Sequence, residues 1–524
     1  MTLLLAEIPV RRPGAAADEI LRLASADYNH PSAPGFYRGV IQRDGDSALV
    51  PMYTRTAMSG GESFGAAKLA VASLPVMNTG RFDWLIAEGV AIEGRAGARL
   101  LLGADAAAPY SSFVPVLTGQ VATVEPSRTN LSFTLRDPLA FLDDPLTESD
   151  FAGSNIAPEG VEGTEADLKG KRKPVAYGLV KDAPAIAVNI PKHVYQVADR
   201  AVSVTAVYDK GNALGVGLNR GSLALLLSTD PEAGKFDWYG GAEGTFFRIG
   251  FPATGAVSAD LAEGANAAAR TVGQVWQRLL TGRCGIAAAD VNAADVAALD
   301  AAAPGGIGFW AGLDGMTRRD ALDAIAESLG AVYWVTAAGQ WRIAQFAEPA
   351  GEPVLTLRDG GALALGEADI VDLQPAPWPL PAYEMKLSWG RCWSPLDRNS
   401  MAATVYEDQP ERLAFLSQEW RTATEKDEGV KTLYPTGRSL EFRSLLVEKT
   451  AAEAEGTRRF GLVKGRRRAW RVSCVTSPDR VAAVDLMSVI RLYHRRFGLT
   501  GKRYRVLDVA GDRASGHLDL MVWG

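Results

Sequence analysis

Apolar positions recur along this chain with two periods, and the switches between them mark its elements. The clearest switch lies within residues 317–346. Leu322, Ile325, Ala326 and Leu329 fall at i, i+3, i+4 and i+7, the spacing of one helix face. Thr317 precedes them as an N-cap, with Asp320 in the first turn, where an acid meets the positive end of the helix dipole. Gly330 follows, where a helix leaves through a left-handed residue. The pattern then becomes a strand with Val332, Tyr333, Trp334 and Val335. A turn at Ala337, Ala338 and Gly339 leads to a second strand, where Trp341, Ile343 and Gln345 alternate with Arg342 and Ala344. One helix and one hairpin are predicted, with Leu322, Ile325 and Leu329 packed on Tyr333 and Trp334. Arg319, on the polar face, is expected to matter little.

Elsewhere, short alternating strands dominate. Residues 17–25 read as a possible helix in an otherwise irregular lead-in. Strands follow at 37–43, 47–55, 67–78 and 98–102, separated by turn clusters, with a brief helical excursion at 81–89. Residues 114–124 and 131–136 form a strand pair. The first carries Gly119 at its centre, where a strand bends or bulges, and the second alternates Leu131, Phe133 and Leu135 with polar residues. Residues 151–178 are irregular and glycine-rich, and strands at 202–208 and 246–251 come after them. Thr271 caps a helix with Gln274 at the capping-box position and Val272, Val275, Trp276 and Leu279 inside. A short alanine-rich helix follows at 290–304. Beyond Pro353, strands flank Pro375, Pro377 and Pro379, an extended crossover. Residues 407–443 read as loop with strand, 446–462 as a helix, and 470–475, 486–491, 504–509 and 515–524 as strands. The fold class is α+β and β-rich.

Length bounds the number of domains. With 524 residues and 47% hydrophobic content, about three or four domains can each bury a core. A net charge of -6 argues against a general nucleic-acid binder, which needs a basic surplus. The 54 glycines and 28 prolines suit a turn-rich β protein. Cys284, Cys392 and Cys474 are odd in number and far apart, so they form neither a disulfide framework nor a zinc cluster. No apolar run reaches the ~18–20 residues that cross a bilayer, so no stable membrane association is expected. The first twelve residues lack the basic segment of a secretory signal. They are expected to be a strand or arm packing on a neighbour, in a protein made and folded in a reducing cytoplasm.

The candidate chemistry is thin. Gly61-Glu62-Ser63-Phe64-Gly65 matches the nucleophile-elbow pattern, but a polar stretch precedes it and a strand-like stretch with Pro75 follows, where the elbow needs strand before and helix after. His30, His193, His494 and His517 are scattered, without metal-ligand spacing. Asp143 and Asp144 read as a turn before Pro145. Gly215-Val216-Gly217 lacks the third glycine of a dinucleotide loop and reads as a hairpin turn. No catalytic, cofactor or metal site is read. The basic run Lys464, Arg466, Arg467, Arg468 and Arg471 is first a solvated loop between helix and strand. Its functional reading is a charge-complementary subunit contact or a channel wall.

Several of these stretches resemble one family, the tail-tip and baseplate hub proteins of long-tailed, non-contractile phages. The unit at 317–346 resembles the helix and strand-turn-strand unit of such hubs. The pair at 114–136, with Thr118-Gly119 in the first strand and Arg136-Asp137 closing the second, resembles their first barrel, related to tail-tube subunits. Gly153, Glu159-Gly160, Leu168-Lys169-Gly170, Lys173-Pro174 and Tyr177-Gly178 resemble a siphophage linker, continued by Tyr195-Gln196-Val197 and residues 204–211. The helix with Ala451, Ala452 and Ala454 and the strands after it are similar to the C-terminal hub barrel. Where the family has a glycine before the turn, this chain reads Ala483-Val484-Asp485-Leu486, which alters the turn but not the strand.

The resemblance implies a multidomain chain with two small tail-tube-like β-barrels and an inserted helix plus β-hairpin domain. Its divisions are an N-terminal arm (1–35), a first hub barrel (36–150), a linker and second β-rich domain (151–265), the helix and hairpin insert (266–350) and a C-terminal hub barrel (351–524). It implies a non-enzymatic virion protein, a hub that adapts the tube to the tip and contributes to the DNA-ejection channel. A homotrimer is preferred and a hexamer possible. The implied partners are the distal tail ring, tip and fibre proteins and the tape measure, with DNA passing transiently. The strand with Leu131, Phe133, Leu135 and Arg136 becomes a candidate lumen wall. The alternatives are a distal tail ring or receptor-binding tail protein, and a peptidoglycan- or carbohydrate-cleaving tail enzyme.

Overall fold

A computed structural model describes residues 3–44, 47–48, 53–57, 64–71, 73–78, 80–94, 96–136, 138–156, 159–360, 367–512 and 516–524. The chain is β-rich and multidomain, with one closed six-strand barrel and one curled half-barrel sheet.

The half-barrel has seven strands. In spatial order they are Arg38–Gly39, Glu19–Ala24, Leu3–Val10, Ala96–Gly103, Val114–Pro126, Asn130–Arg136 and Ser73–Met77. Here the structure departs from the expected irregular and helical lead-in. Leu3–Val10 and Glu19–Ala24 pair antiparallel, Leu5 opposite Ala24 and Val10 opposite Glu19. Every residue of Leu3–Val10 is buried. Leu4, Ala6 and Ile8 enter the core with Leu131 and Phe133, while Leu3 and Leu5 pack on Tyr28, Tyr37 and Phe113. A near-continuous apolar run is what a strand covered on both faces requires. The bulge expected at Gly119 falls instead on the neighbouring strand, where Gly97, at φ +97°, is the extra residue opposite Gly119 and Gln120. Pro75 is tolerated because Ser73–Met77 lies at the sheet edge.

Two five-stranded sheets then enclose a common core that includes Val180, Val204, Leu261, Val197, Phe236 and Phe247. The glycine-rich stretch ahead of them is irregular, as read. Gly178 shows why glycine is needed: its φ is +70°, and an added Cβ would lie 2.0 Å from the Ile307 carbonyl oxygen. Residues 215–217 are not the expected hairpin turn. They belong to an edge strand, Gly215–Asn219, parallel to Lys235–Gly241. A side chain at Gly217 would meet the Asp237 carboxylate at 2.3 Å, so glycine there permits close strand approach.

The closed barrel is built from Leu355–Arg358, Glu367–Ala376, Ala469–Val475, His517–Trp523, Leu499–Asp512 and Val489–His494, the last returning to the first. Trp470, Val472, Cys474, Val506, Leu520 and Val522 fill it. Two further strands, Tyr53–Thr56 and Lys68–Val71, come from far upstream and extend its sheet on Leu499–Asp512. The turn ahead of Val489–His494 passes through Met487 at φ +61°. The stretch 407–443, read as loop with strand, also holds the short helices Pro410–Leu416 and Glu428–Leu433, and a third, Ala403–Asp408, runs into its start. Among the described residues, no helix is long and apolar enough to cross a membrane.

Candidate assembly interface

The helix Arg318–Glu327 and the hairpin of Ala331–Val335 and Trp341–Gln345 join the parts together. Thr317 and Asp320 form the capping box. Leu322, Ile325, Ala326 and Leu329 are fully buried, in one core with Trp276 and Tyr333. The next residue along the hairpin, Trp334, faces the closed barrel instead, and its indole N–H donates to Asp485 at 3.0 Å. At the tip, the Thr118 hydroxyl of the half-barrel donates to the Ala337 carbonyl at 2.8 Å. Asp323 accepts from the Ala66 amide at 2.9 Å and the Tyr333 hydroxyl at 2.7 Å, pinning Gly65–Ala66 alongside Ala331–Val335. The half-barrel and the closed barrel therefore meet on one small unit.

The capping at Thr271 is half of what the sequence suggests. Thr271 accepts from the Gln274 amide, but the Gln274 side chain donates to Asp300 at 2.8 Å instead of turning back. Arg319 is not idle, contrary to expectation. It donates to Asp143 at 2.6 Å and to the Leu139 carbonyl at 2.9 Å, while Arg318 pairs with Asp144 at 3.4 Å. The neighbouring aspartates thus clip the central helix to the 3-10 turn Pro138–Asp143.

In the candidate lumen strand, Leu131, Phe133 and Leu135 point into the half-barrel core, 4% exposed or less. The alternate face carries Ser132 and Thr134, half-buried. Arg136 ends the strand opposite Gln120. In the basic run, Lys464 caps the helix Lys449–Val463, 3.9 Å from Asp427. Arg467 pairs with Glu348 and lies over the Trp523 ring. Arg466, Arg468 and Arg471 are exposed. The loop is closed at its base by Arg468 and Gly524, whose backbones exchange hydrogen bonds.

Ser63 of the elbow-like pentapeptide lies outside the described residues. His30, His193, His494 and His517 are not brought together, and among the described residues no cluster of metal-ligating side chains exists. The three thiols are free. Burial raises Cys284 and Cys392 to about 11 and Cys474 to about 12, so almost no thiolate forms near neutrality. Alkylation of the native protein should be slow at Cys392 and Cys474 and complete after denaturation, with no bridge seen by mass spectrometry without reduction. Rapid native labelling of either would contradict the packing.

No family model matches the sequence, and no curated protein matches it. Among solved structures, the chain is similar to the 43 kDa tail protein of prophage MuSo2 from Shewanella oneidensis, at 10% identity and a TM-score of 0.39 over 98% of each chain. It is similar to a chain of the native gene transfer agent virion at 15% identity and a TM-score of 0.43, over 68% of this chain and 84% of that one. A tail protein from Neisseria meningitidis MC58 is similar at 9% identity and a TM-score of 0.36, over 99% of this chain and 96% of that one.

Proposed function

We propose that this chain is a structural protein of a phage virion, forming the hub of a tail tip or baseplate. The hub adapts the tail tube to the tip and contributes to the channel for DNA ejection. One observation carries the reading: a curled half-barrel and a closed barrel occur in one chain, coupled by its own strands and a shared central unit. Three such chains supply two barrel-like units each and so continue a six-fold tube, which favours a trimer over a hexamer. The strand Asn130–Arg136 lies at the lumen, with Ser132 and Thr134 turned outward and Leu131, Phe133 and Leu135 holding it to its own core. Small neutral side chains there would not grip passing DNA.

The exposed Arg466, Arg468 and Arg471 form the contact to a neighbouring copy or tail protein. Rings in permanent assemblies bury more than ~2,000 Å² per interface, so the isolated chain should associate. Native mass spectrometry should show trimers. Arg466→Glu with Arg468→Glu should weaken that association with the circular dichroism unchanged. A strictly monomeric parent, or trimers indifferent to the charge reversal, would remove the support for this contact.

A further inference from the structure

Between the strand Val175–Pro184 and the segment 389–421 lies a cleft of about 850 Å³, within the roughly 300–1,000 Å³ of small-ligand sites. Its apolar wall is aromatic, with Trp389, Trp393 and Phe415. Trp393 is fixed edge-on against Phe309 and Trp310, at centroid distances of 6.5 and 6.1 Å. Its charged lining is Lys181, Arg391, Arg421 and Lys449 against one carboxylate, Glu411, in a chain of net charge -6.

Two of the cations lie over rings. Arg391 lies 3.8 Å from the Trp393 centroid and is bonded to Glu419 at 2.9 Å. Arg421 lies 3.8 Å from the Phe415 centroid. It donates to the Gly390 carbonyl at 2.6 Å and to the Phe415 carbonyl. Among the described residues, no carboxylate bonds Arg421. Lys181 and Lys449, by contrast, have partners in Asp260 and Glu453.

We propose that this cleft binds a carboxylated saccharide, with a sugar face on Trp389 and its carboxylate at Arg421. A flat indole matches the C–H face of a pyranose, which carries no polar group to strand, and among the described residues no cation or ring is stacked on Trp389. Hydroxyls at the ring edge then reach Ser417 and Gln418, both exposed at the rim. A stacked guanidinium offers carboxylates a preset fork of donors. An acidic peptide fits less well, because its backbone amides would lose water against ring faces that cannot bond them. Cleavage of the sugar is not implied, since glycoside hydrolysis ordinarily uses a pair of carboxylates and Glu411 is alone in the lining. No residue of the lumen strand or the basic loop lines the cleft, so this site goes beyond the hub reading and is tested apart from it.

The test titrates the full chain with trigalacturonic acid, followed by calorimetry and tryptophan fluorescence. Maltotriose serves as the neutral saccharide and a tetra-aspartate peptide as the acidic one. Saturable binding of trigalacturonate is expected, about tenfold tighter than maltotriose, with no binding of the peptide. Arg421→Gln and Lys449→Glu should each weaken it by about tenfold or more. Lys449 is exposed, so its variant keeps the test valid if the Arg421 variant misfolds. The proposal is overturned by absent trigalacturonate binding, by affinity unchanged in Lys449→Glu, or by equal affinity for maltotriose. Tighter binding of the peptide would overturn it in favour of a peptide dock.

Discussion

Glu455→Ala is expected to destabilise the folded chain by about 3–5 kcal/mol, since it leaves a buried guanidinium without its counter-ion. Glu455 and Arg459 are 4% and 3% exposed on the helix Lys449–Val463. The carboxylate accepts from Arg459 at 2.5 Å, from Arg458 at 2.7 and 2.8 Å, and from the Gln345 amide at 3.2 Å. The arginines in turn hold the carbonyls that end the central unit: Leu329 at 3.1 Å and Phe346 at 2.7 Å by Arg458, and Glu327 at 2.5 Å by Arg459. Denaturant unfolding followed by tryptophan fluorescence reads the loss. Glu453→Ala, on the exposed side of the same helix and 3.6 Å from Lys449, should change stability by less than ~0.5 kcal/mol.

The same cluster sets a pH dependence. Burial pushes the Glu455 carboxyl up, but Arg459 and Arg458 outweigh it and hold the folded-state value below the ordinary 4.5. An acid with a lowered folded pKa adds stability above its unfolded value and loses it as pH falls through the folded one. The parent should therefore weaken more steeply than Glu455→Gln below pH 4.5. Equal slopes would mean the carboxylate is not held by the arginines.

Leu329→Ala should cost about 2–5 kcal/mol, the range for a leucine removed from a closed core. Leu329 is fully buried with Ile325 and Tyr333, at the point where the helix turns into the hairpin. Arg319→Ala makes the comparison. Its bonds to Asp143 and the Leu139 carbonyl are partly exposed, so a loss of about 1 kcal/mol is expected, not none. A leucine variant no weaker than the arginine variant would mean that the helix phase is wrong.

These two positions mark what a sequence can reveal. The central helix and hairpin were legible because their signals are local: a cap, a helical stripe, a glycine exit and an alternating strand within thirty or so residues. Arg319 looks idle in the sequence because its partners, Leu139 and Asp143, lie far away in the chain. Barrel closure is hidden for the same reason. Leu355 pairs with Ile490, and Thr54 with Ala510, and no pattern at either end of such a pair names the other. The lead-in failed differently. Residues 17–25 contain both a helical and an alternating reading, and burial against Leu3–Val10 decides for the strand. The basic run was visible, but only Glu348 and Trp523 show that Arg467 is already engaged. The aromatic cleft gave no sequence signal, because Lys181, Trp393 and Arg421 come from separate elements.

The hub reading is tested most directly by a low-resolution map of the parent particle. Three copies should surround the tail axis, half-barrels and closed barrels alternating as six units around the lumen, with the strand Asn130–Arg136 on the inner wall. Six copies on the axis would keep the tail assignment and reject the trimer. A chain found away from the axis, as a peripheral fibre or a protein absent from the particle, would contradict the hub.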